Sequence, residues 1–349
     1  MRTVVITGAN VGIGFATAKY LAADPQWHVV LACRDASKAS AAIADIRKLY
    51  PNSQVSFAPL DLFSLSSVRR FPAVLAQMDI PPLGGLILNA GGLNLKSSLE
   101  FTEDGFERSF QLNFLGHFLL TNLLLNHLDP GARIVFVSSD LHDPAATRMG
   151  KIMPPKFGPV LDLARARGSA AKLKPMARYG TAKLLALMAA YELDRRLRAA
   201  NQQITVNSWS PGVVPTTQAG RDMNPIMKRI ITTHWFVSFM GSHLSTEEEA
   251  GRALGDLMIN TKYAGVSGSY FDGFKEIPSS VESRDQIKAK AVWEESAKLL
   301  GLPVELTASA PGGTGLIIEP FNKWSNRRIH RPLRTPMLNA YPKKGKGSQ

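Results

Sequence analysis

The 349-residue sequence predicts an α/β fold: one doubly wound domain with a mostly parallel, seven-stranded sheet, followed by a basic C-terminal tail. Three observations support this prediction. Apolar strand patterns alternate with helical patterns through the first two-thirds of the chain, a glycine-rich turn lies between the first strand and the first helix, and polar motifs follow several later strands. Strands that are apolar throughout must be covered on both faces, and helices that connect parallel strands provide that cover.

The predicted elements alternate along the chain. Strand patterns cover residues 3–7, 28–33, 54–59, 85–89, 132–138, 204–209 and 265–271, and helical patterns cover residues 13–23, 36–50, 64–77, 105–128 and 175–200. Residues 308–315 are small and rich in Gly, Pro, Ser and Thr, which indicates irregular structure. We therefore expect one domain over residues 1–305 and an irregular basic extension over residues 306–349.

The composition excludes several classes of protein. A hydrophobic fraction of 45% and a charged fraction of 20% are typical of a globular chain rather than a disordered one. The single cysteine, Cys33, excludes an intrachain disulfide and fits a reducing compartment. The sequence contains no signal segment and no run of about 18 apolar residues, so we expect a cytoplasmic protein without a transmembrane helix.

Much of the formal net charge of +13 is concentrated near the C-terminus. Residues 320–349 hold eight Lys and Arg residues and no Asp or Glu, which leaves the rest of the chain at about +5. A solvated tail is the simpler interpretation, and peripheral contact with an anionic membrane or an acidic protein is the alternative. No nucleic-acid-binding motif accompanies the charge, so we expect no nucleic-acid partner.

The sequence TGANVGIG, residues 7–14, lies between the first strand and the first helix. A tight glycine turn lets the backbone approach a pyrophosphate, and the N-terminus of the helix offers unpaired N–H groups and a partial positive charge. In this context the turn predicts dinucleotide binding by a domain of the Rossmann type. The candidate cofactor-binding residues are Gly8, Asn10, Gly12, Ile13 and Gly14.

The spacing Gly-x-x-x-Gly-x-Gly, together with later motifs, resembles the short-chain dehydrogenase/reductase family from residue 7 to about residue 271. The resemblance implies a nicotinamide cofactor and assigns further contacts to it. Asp61-Leu62 would contact the adenine, and Asn89-Ala90-Gly91 would flank the cofactor. After the sixth strand, Pro211-Gly212-Val213 would embrace the nicotinamide, and Thr216 would bind its carboxamide.

The end of the second strand bears on the choice between NADP and NAD. NAD-preferring proteins usually place a carboxylate here to bind the ribose 2′-hydroxyl. In the alignment that the resemblance implies, Cys33 takes that place and Arg34 follows it, and a guanidinium suits a 2′-phosphate. Asp35 would restore a preference for NAD if the alignment shifted by one residue, and a plain surface arginine is the other alternative. We expect NADP(H).

Tyr179 and Lys183 are spaced i and i+4 in a predicted helix, so their side chains lie on one face. A phenol with an ordinary pKa of about 10 exchanges protons poorly near neutral pH, and an adjacent ammonium lowers that pKa. The same ammonium can hold the nicotinamide ribose. The pair therefore predicts general acid–base catalysis by Tyr179, with both residues also contacting the cofactor.

Two further polar residues complete the catalytic set that the resemblance implies. Ser139, at the end of the fifth strand, would orient the substrate carbonyl, and Ser138 is the close alternative. Asn113 lies in an otherwise apolar helical pattern, and a buried asparagine must be hydrogen-bonded. Its family role would be a water-mediated proton relay to the lysine, which is compatible with a structural bond to the backbone.

Two segments would shape the substrate site. Residues 140–178 form an insertion that is longer than in the simplest family members and rich in lysine and arginine, although a solvated insertion without special function is the alternative. Residues 217–245 take the place of the family's substrate lid, and the aromatic residues and methionines within 223–240 predict a fairly large apolar substrate. Members of the family often associate through their long helices, so the resemblance also implies a homodimer.

Motifs in the C-terminal part narrow the resemblance. STEEEAG at 245–251, GVSGSYF at 265–271 and VWEES at 292–296 resemble the retinol dehydrogenase and light-dependent protochlorophyllide reductase branch. The protochlorophyllide enzymes carry a functional cysteine two residues after the lysine, where this chain has Leu185. We therefore expect hydride transfer between NADP(H) and a carbonyl or alcohol, without a metal. The alternatives are a protochlorophyllide reductase-like double-bond reductase and a non-catalytic NADP(H)-binding sensor that docks a partner through its basic tail.

Overall fold

Eight strands form one sheet in the computed structural model, which describes residues 1–214, 233 and 243–306. In chain order the strands are β1 (Arg2–Thr7), β2 (Trp27–Cys33), β3 (Gln54–Pro59), β4 (Leu83–Leu88), β5 (Leu128–Val137), β6 (Thr205–Ser210), β7 (Tyr270–Asp272) and β8 (Lys275–Glu276). Their order across the sheet is β3-β2-β1-β4-β5-β6-β7-β8, and every neighbouring pair is parallel except β7 with β8. The predicted doubly wound, mostly parallel sheet is confirmed.

The described sheet has eight strands rather than the predicted seven. The additional strand, β8, has two residues and pairs with β7 at the edge of the sheet. A strand of two residues is too short to leave an alternating pattern in the sequence. β7 begins at Tyr270 rather than at residue 265, because Gly265 and Gly268 have φ of +76° and +75°, which an extended strand excludes.

Helices cover both faces of the sheet. In chain order they are α1 (Gly12–Leu21), α2 (Ala36–Leu49), α3 (Leu65–Ala76), α4 (Arg108–Phe110), α5 (Gly116–Leu124), α6 (Arg148–Ile152), α7 (Val160–Ala164), α8 (Pro175–Ala199), α9 (Glu247–Ile259) and α10 (Gln286–Leu300). Successive strand residues point to opposite faces, so Val4 belongs to the apolar cluster under α1, α2 and α9, whereas Val5 belongs to the cluster under α3, α5, α8 and α10. Within the described chain, no helix is long and apolar enough to cross a bilayer.

The expected continuous helix over residues 105–128 is wrong. A π-helical turn, Gln111–Leu115, separates α4 from α5, and a 3₁₀ turn, Leu125–His127, follows α5. π turns are rare and occur frequently at functional sites. Asn113 lies at the centre of this turn, so the break in the regular helix is located at a residue with a predicted catalytic role.

The strand order reverses between β1 and β4. From β1 the chain builds outward to β3, and it then returns to the other side of β1 to start β4. Doubly wound sheets bind ligands in the crevice at the carboxyl ends of the strands where this reversal occurs. The segments that follow Thr7 and Leu88, the last residues of β1 and β4, therefore occupy the expected position of a cofactor site.

Candidate active site

The turn after β1 leaves no room for side chains at critical glycines. Gly8 and Gly12 have φ of +66° and +60°, in the left-handed region. A Cβ at Gly14 would lie 2.6 Å from the carbonyl oxygen of Gly8 and would also collide with the Asn89 amide. Val11, which precedes α1, caps no N–H group with its side chain. The first N–H groups of α1 thus keep their capacity to bind a phosphate.

The segment after β4 packs against this turn. Asn89 donates a hydrogen bond from Nδ2 to the carbonyl oxygen of Thr7 (2.9 Å), and the Ala90 N–H donates to the Thr7 hydroxyl (2.9 Å). A Cβ at Gly8 would lie 3.1 Å from the Ala90 Cα, so the glycine permits this approach. We call these two segments, residues 8–14 and 89–92, the cofactor edge. Asn10 and Ile13 are partly exposed on it.

The end of β2 presents a guanidinium and no available carboxylate. Burial, reinforced by the nearby charge of Asp35, raises the pKa of the Cys33 thiol to about 11, so the thiol is neutral. Asp35 caps α2 by accepting a hydrogen bond from the Lys38 N–H (3.0 Å), and it also pairs with the Lys38 ammonium at 3.2 Å. Arg34 is exposed. The residues present fit the 2′-phosphate of NADP better than the 2′-hydroxyl of NAD.

The segment after β3 is held by local bonds. Asp61 accepts a hydrogen bond from the Phe63 N–H at 3.0 Å, and Leu62 is buried. The Phe63 ring contacts two guanidinium groups: the Arg34 Cζ lies 5.4 Å from the ring centroid, and the Arg108 Cζ lies 4.0 Å from it. These cation–π contacts place Arg34 beside the predicted adenine-binding segment.

The side chains of Tyr179 and Ser139 are neighbours, and the Ser139 hydroxyl lowers the pKa of the Tyr179 phenol. Ser139 follows β5, and its Oγ also accepts a hydrogen bond from the Leu141 N–H at 3.3 Å. The Ser138 hydroxyl is buried and has no partner among the described residues. A Cβ at Gly180 would lie 2.5 Å from the Leu141 carbonyl oxygen, so α8 packs directly on the segment that carries Ser139. Of the two candidate serines, Ser139 is the one that contacts Tyr179.

The pKa of Tyr179 moves in the direction opposite to that expected from the sequence. Part of the side chain remains exposed, yet burial by the surrounding residues raises the pKa of the phenol to about 12. The hydrogen bond with Ser139 opposes this rise, and the charge of Asp140 adds to it. The Lys183 Nζ lies 5.7 Å from the ring centroid. The expectation that Lys183 lowers the pKa of Tyr179 is therefore wrong.

Lys183 is buried, with 2% of its surface exposed. Its Nζ donates a hydrogen bond to the carbonyl oxygen of Val137 at 2.8 Å, which holds the ammonium at the end of β5. Burial lowers the pKa of Lys183 to about 8. The lysine is therefore still mainly protonated at neutral pH, and its positive charge lies one helical turn from Tyr179.

Asn113 is bound to the cofactor edge by paired hydrogen bonds. Its Nδ2 donates to the carbonyl oxygen of Gly92 (3.1 Å), and its Oδ1 accepts from the Gly92 N–H (3.1 Å). A Cβ at Gly91 would lie 2.8 Å from the Asn113 Oδ1 and 3.3 Å from the Lys183 Nζ. Both polar groups therefore border the same small space next to Gly91, which is where a relay between asparagine and lysine would operate.

Sequence reasoning missed His117, which lies four residues after Asn113. Its Nε2 lies 3.0 Å from the Thr7 hydroxyl. Burial and, to a smaller degree, the charge of Lys183 lower its pKa to about 3, so the ring is neutral. It links α5 to the end of β1. The available signal was a single imidazole in an apolar helical pattern, on the same face as Asn113.

A buried arginine, Arg178, was also missed. Its Nε lies 3.6 Å from Glu107 Oε1, and it donates hydrogen bonds to the carbonyl oxygens of Leu173 (3.1 Å) and Lys96 (2.9 Å). The side chains of Arg178 and Glu107 are only 6% and 4% exposed. The residue before Tyr179 therefore anchors the end of the insertion and the loop before α4 to α8.

His142 fixes the backbone of Ser139 and was not predicted. Its Nδ1 donates to the carbonyl oxygen of Ser139 at 2.7 Å, and its Nε2 accepts from the Ser280 N–H at 3.2 Å. Burial lowers the pKa of His142, in keeping with a neutral ring that carries its proton on Nδ1. The ring also packs edge-to-face on Tyr270 at 5.1 Å. A segment far along the chain thus supports Ser139.

The residues after β6 are only partly described. Gly212 has a φ of +67°, and a Cβ there would lie 2.5 Å from the His243 ring. The Val213 N–H donates to the His243 carbonyl oxygen at 2.8 Å, so the residues just before the predicted lid are bonded to its last residues. Pro211 is partly exposed. Thr216, residues 217–232 and 234–242 of the predicted lid, and the basic tail beyond residue 306 lie outside the described residues.

Comparison with known proteins places this site in a family. The sequence profile of the short chain dehydrogenase family matches residues 2–149. Retinol dehydrogenase 13 of Homo sapiens is 34% identical over 323 residues, which cover 89% of this chain and 88% of that protein. The chloroplastic protochlorophyllide reductase of Chlamydomonas reinhardtii is 34% identical over 326 residues, which cover 86% of this chain and 78% of that protein.

A solved structure is similar over the same range. The crystal structure of an uncharacterized protein from Mycobacterium paratuberculosis matches with a TM-score of 0.63 and 30% identity, over 88% of this chain and 96% of that one. The sequence relatives span most of the chain, including α8, and both belong to the branch that the C-terminal motifs indicated. The chain is therefore a member of the short-chain dehydrogenase family and an oxidoreductase of the retinol dehydrogenase and protochlorophyllide reductase type, which acts on a small-molecule substrate.

Proposed function

We propose that the protein is an NADP(H)-dependent carbonyl reductase of a fairly large apolar substrate, and that it oxidises the corresponding alcohol in the reverse direction. The observation that carries this proposal is that the side chains of Tyr179 and Ser139 interact, with the buried Lys183 one helical turn from Tyr179. When bound, the nicotinamide cofactor supplies the hydride. The chain supplies the proton and the hydrogen bonds at the substrate oxygen.

Tyr179 is the proton donor. A phenol with a pKa of about 12 is protonated throughout the neutral range, which suits the reductive direction. As hydride reaches the carbonyl carbon, the carbonyl oxygen takes the Tyr179 proton, while Ser139 donates a hydrogen bond to the same oxygen. The Ser139 hydroxyl, which lowers the pKa of the phenol, then stabilises the phenolate that remains.

Lys183 and Asn113 support this transfer. The Lys183 ammonium, held by the Val137 carbonyl, offers its remaining hydrogens to the nicotinamide ribose. Asn113 is fixed by Gly92 in the space beside Lys183, where a water bonded to the asparagine can return a proton to the tyrosine through the lysine. Tyr179 is thus protonated again for the next turnover.

Arg34 sets the preference for NADP(H). Its guanidinium is exposed beside Phe63, whereas Asp35 is already engaged by Lys38. Arg34 can bind a 2′-phosphate through two parallel hydrogen bonds. We expect Arg34→Gln to weaken NADPH binding at least tenfold and to leave NADH binding unchanged. Arg70→Gln, which removes an exposed charge from α3, is the matched control and should bind NADPH like the wild type.

The reaction is tested with NADPH deuterated at C4 and a panel of long-chain aldehydes, ketones and retinoids. We expect deuterium at the former carbonyl carbon of at least one product. If the full-length protein binds NADPH but labels no product, it is the non-catalytic sensor, and pull-downs with and without residues 307–349 would then identify the docking segment.

The second candidate function is reduction of a conjugated double bond. It is favoured by the similarity to the protochlorophyllide reductase of Chlamydomonas reinhardtii. The position two residues after Lys183 counts against it, because Leu185 is fully buried in the apolar core and offers no thiol. Light-dependent disappearance of protochlorophyllide in the presence of the protein and NADPH would decide in favour of this second function.

A further inference from the structure

The insertion contains a cleft of about 300 Å³ near the start of the catalytic helix. One wall is apolar and consists of residues 152–155 and Leu173. Ile152 is 66% exposed, which is unusual for a large aliphatic side chain. The wall continues to Ala177, two residues before Tyr179. An apolar surface of this kind is stabilised when a ligand covers it.

Three lysines line the same cleft. Lys156, Lys172 and Lys174 are exposed, and none of them forms an ion pair with a carboxylate among the described residues. Other lysines in the described chain do have such partners: Lys48 pairs with Asp45, for example. Three ammonium groups without counter-charges around one apolar wall create a positive potential that attracts an anion.

The rim of the cleft is attached to the catalytic helix. The Lys156 N–H donates a hydrogen bond to the hydroxyl of Thr181 at 2.8 Å, and Thr181 is 1% exposed. On the other side, Arg178 donates to the carbonyl oxygen of Leu173 at 3.1 Å. Both anchoring side chains are buried on α8. The lysines and the apolar wall are therefore held in place relative to each other rather than carried by a free loop.

We propose that this cleft binds the anionic end of an amphiphilic small molecule, a carboxylate or a phosphate monoester attached to an apolar chain. The apolar wall covers the first part of the chain, and the ammonium groups of the three lysines surround the anion. The shared chemistry is a compact oxyanion next to methylene groups. Binding at this cleft requires no turnover and no cofactor.

The test measures binding to the full-length protein by calorimetry, with decanoate, decyl phosphate and decanol as probes below their aggregation limits. The cleft variant is K156Q/K172Q/K174Q. The matched control is K19Q/K48Q/K262Q, which loses the same charge from α1, α2 and the turn after α9, on the opposite face of the sheet. All six lysines are exposed or partly exposed, so we expect both variants to fold, which thermal melts would check.

We expect the wild type and the control to bind one or both anions similarly, the cleft variant to bind them at least tenfold more weakly, and decanol to bind at least tenfold more weakly than the anions. The tighter of the two anions identifies the carboxylate or the phosphate as the natural group. I152Q should weaken decanoate binding but leave binding of inorganic phosphate unchanged. Equal binding by the cleft variant and the wild type, equal losses in the two triple variants, equal binding of decanol, or binding to anionic vesicles alone would overturn the proposal.

Discussion

The cofactor edge, residues 8–14 and 89–92, and the insertion, residues 140–178, both precede Tyr179 in the sequence and differ in what constrains them. At the cofactor edge the backbone itself approaches other groups, so a Cβ at Gly14 would meet the Gly8 carbonyl oxygen at 2.6 Å. In the insertion, a Cβ at Gly158 would meet nothing within 4 Å. Close approach of the main chain therefore constrains Gly14 but not Gly158, and the buried side chain of Arg178 anchors the end of the insertion. This difference predicts where single substitutions matter.

The largest effect on stability is expected where the insertion is anchored. Arg178→Met removes the partner of the buried Glu107 carboxylate and two hydrogen bonds to carbonyl oxygens. We expect a loss of about 4 kcal/mol in the free energy of unfolding, because breaking a buried pair leaves a charge without compensation. Arg195→Met, on the same helix with a partly exposed pair to Glu192, should cost less than about 1 kcal/mol. Similar losses in denaturant titrations of the two variants would contradict this anchoring role.

A methyl group at the cofactor edge should abolish most cofactor affinity. Gly14→Ala places a Cβ against Gly8 and Asn89, so the turn must shift away from its phosphate-binding conformation. We expect the dissociation constant of NADPH, measured by fluorescence titration, to rise more than 100-fold, or about 3 kcal/mol. Gly158→Ala should leave both NADPH affinity and thermal stability at their wild-type values. Equal NADPH affinities of Gly14→Ala and Gly158→Ala would contradict this difference between the two regions.

The two adjacent serines provide the next test. Ser139→Ala removes the hydroxyl that interacts with the Tyr179 side chain, so turnover should fall about 100-fold while NADPH affinity is retained. Ser138→Ala removes a buried hydroxyl without a partner in the described chain, so turnover should be unchanged and stability equal or higher. Steady-state rates and melting curves of both variants check this. A greater loss of turnover in Ser138→Ala than in Ser139→Ala would assign the contact with the substrate oxygen to Ser138 instead.

The smallest predicted effect is on the pH dependence of the free energy of unfolding, and it arises from His117, whose ring contacts the Thr7 hydroxyl at the end of β1. His117 has a folded-state pKa of about 3, below its ordinary value of 6.5, so the unfolded chain binds a proton that the folded chain does not. Stability is therefore lost as pH falls below about 6.5. Between pH 6.5 and 5.5, the wild type should lose about 1 kcal/mol more than His117→Gln. Denaturant titrations at both pH values measure this difference, and His127→Gln, at an exposed position, should keep the wild-type slope.

The parts of the fold that follow from main-chain requirements could be predicted from the sequence. β3 has the predicted bounds, and α8 ends one residue before its predicted end, because apolar runs bounded by turn residues have few alternative structures. Tyr179 and Lys183 share a helix face, as their spacing required. The glycine turn lies between β1 and α1, as the sequence predicted for a phosphate-binding turn.

The remaining features depend on contacts between distant residues. The π turn at Gln111–Leu115 leaves the apolar pattern of its helix intact, so no local signal separates it from a regular helix. An arginine is rarely buried, so nothing in the sequence indicated that Arg178 is, and only Glu107 and the insertion explain its burial. The same holds for His142, whose partner Ser280 is 138 residues away. The pKa of Tyr179 was misjudged because burial cannot be read from a spacing.

Tyr179 directly follows the insertion and lies one helical turn before Lys183, which borders the cofactor edge at Gly91, and its substitution tests the central claim most directly. Tyr179→Phe is compared with Tyr191→Phe, which removes a hydroxyl bonded to Ser279 farther along the same helix. The measurement combines NADPH titration with the rate of deuterium transfer to a carbonyl substrate. We predict that Tyr179→Phe binds NADPH like the wild type but transfers deuterium at least about 1000-fold more slowly, while Tyr191→Phe keeps both properties. Wild-type transfer by Tyr179→Phe would contradict the assignment of Tyr179 as the proton donor.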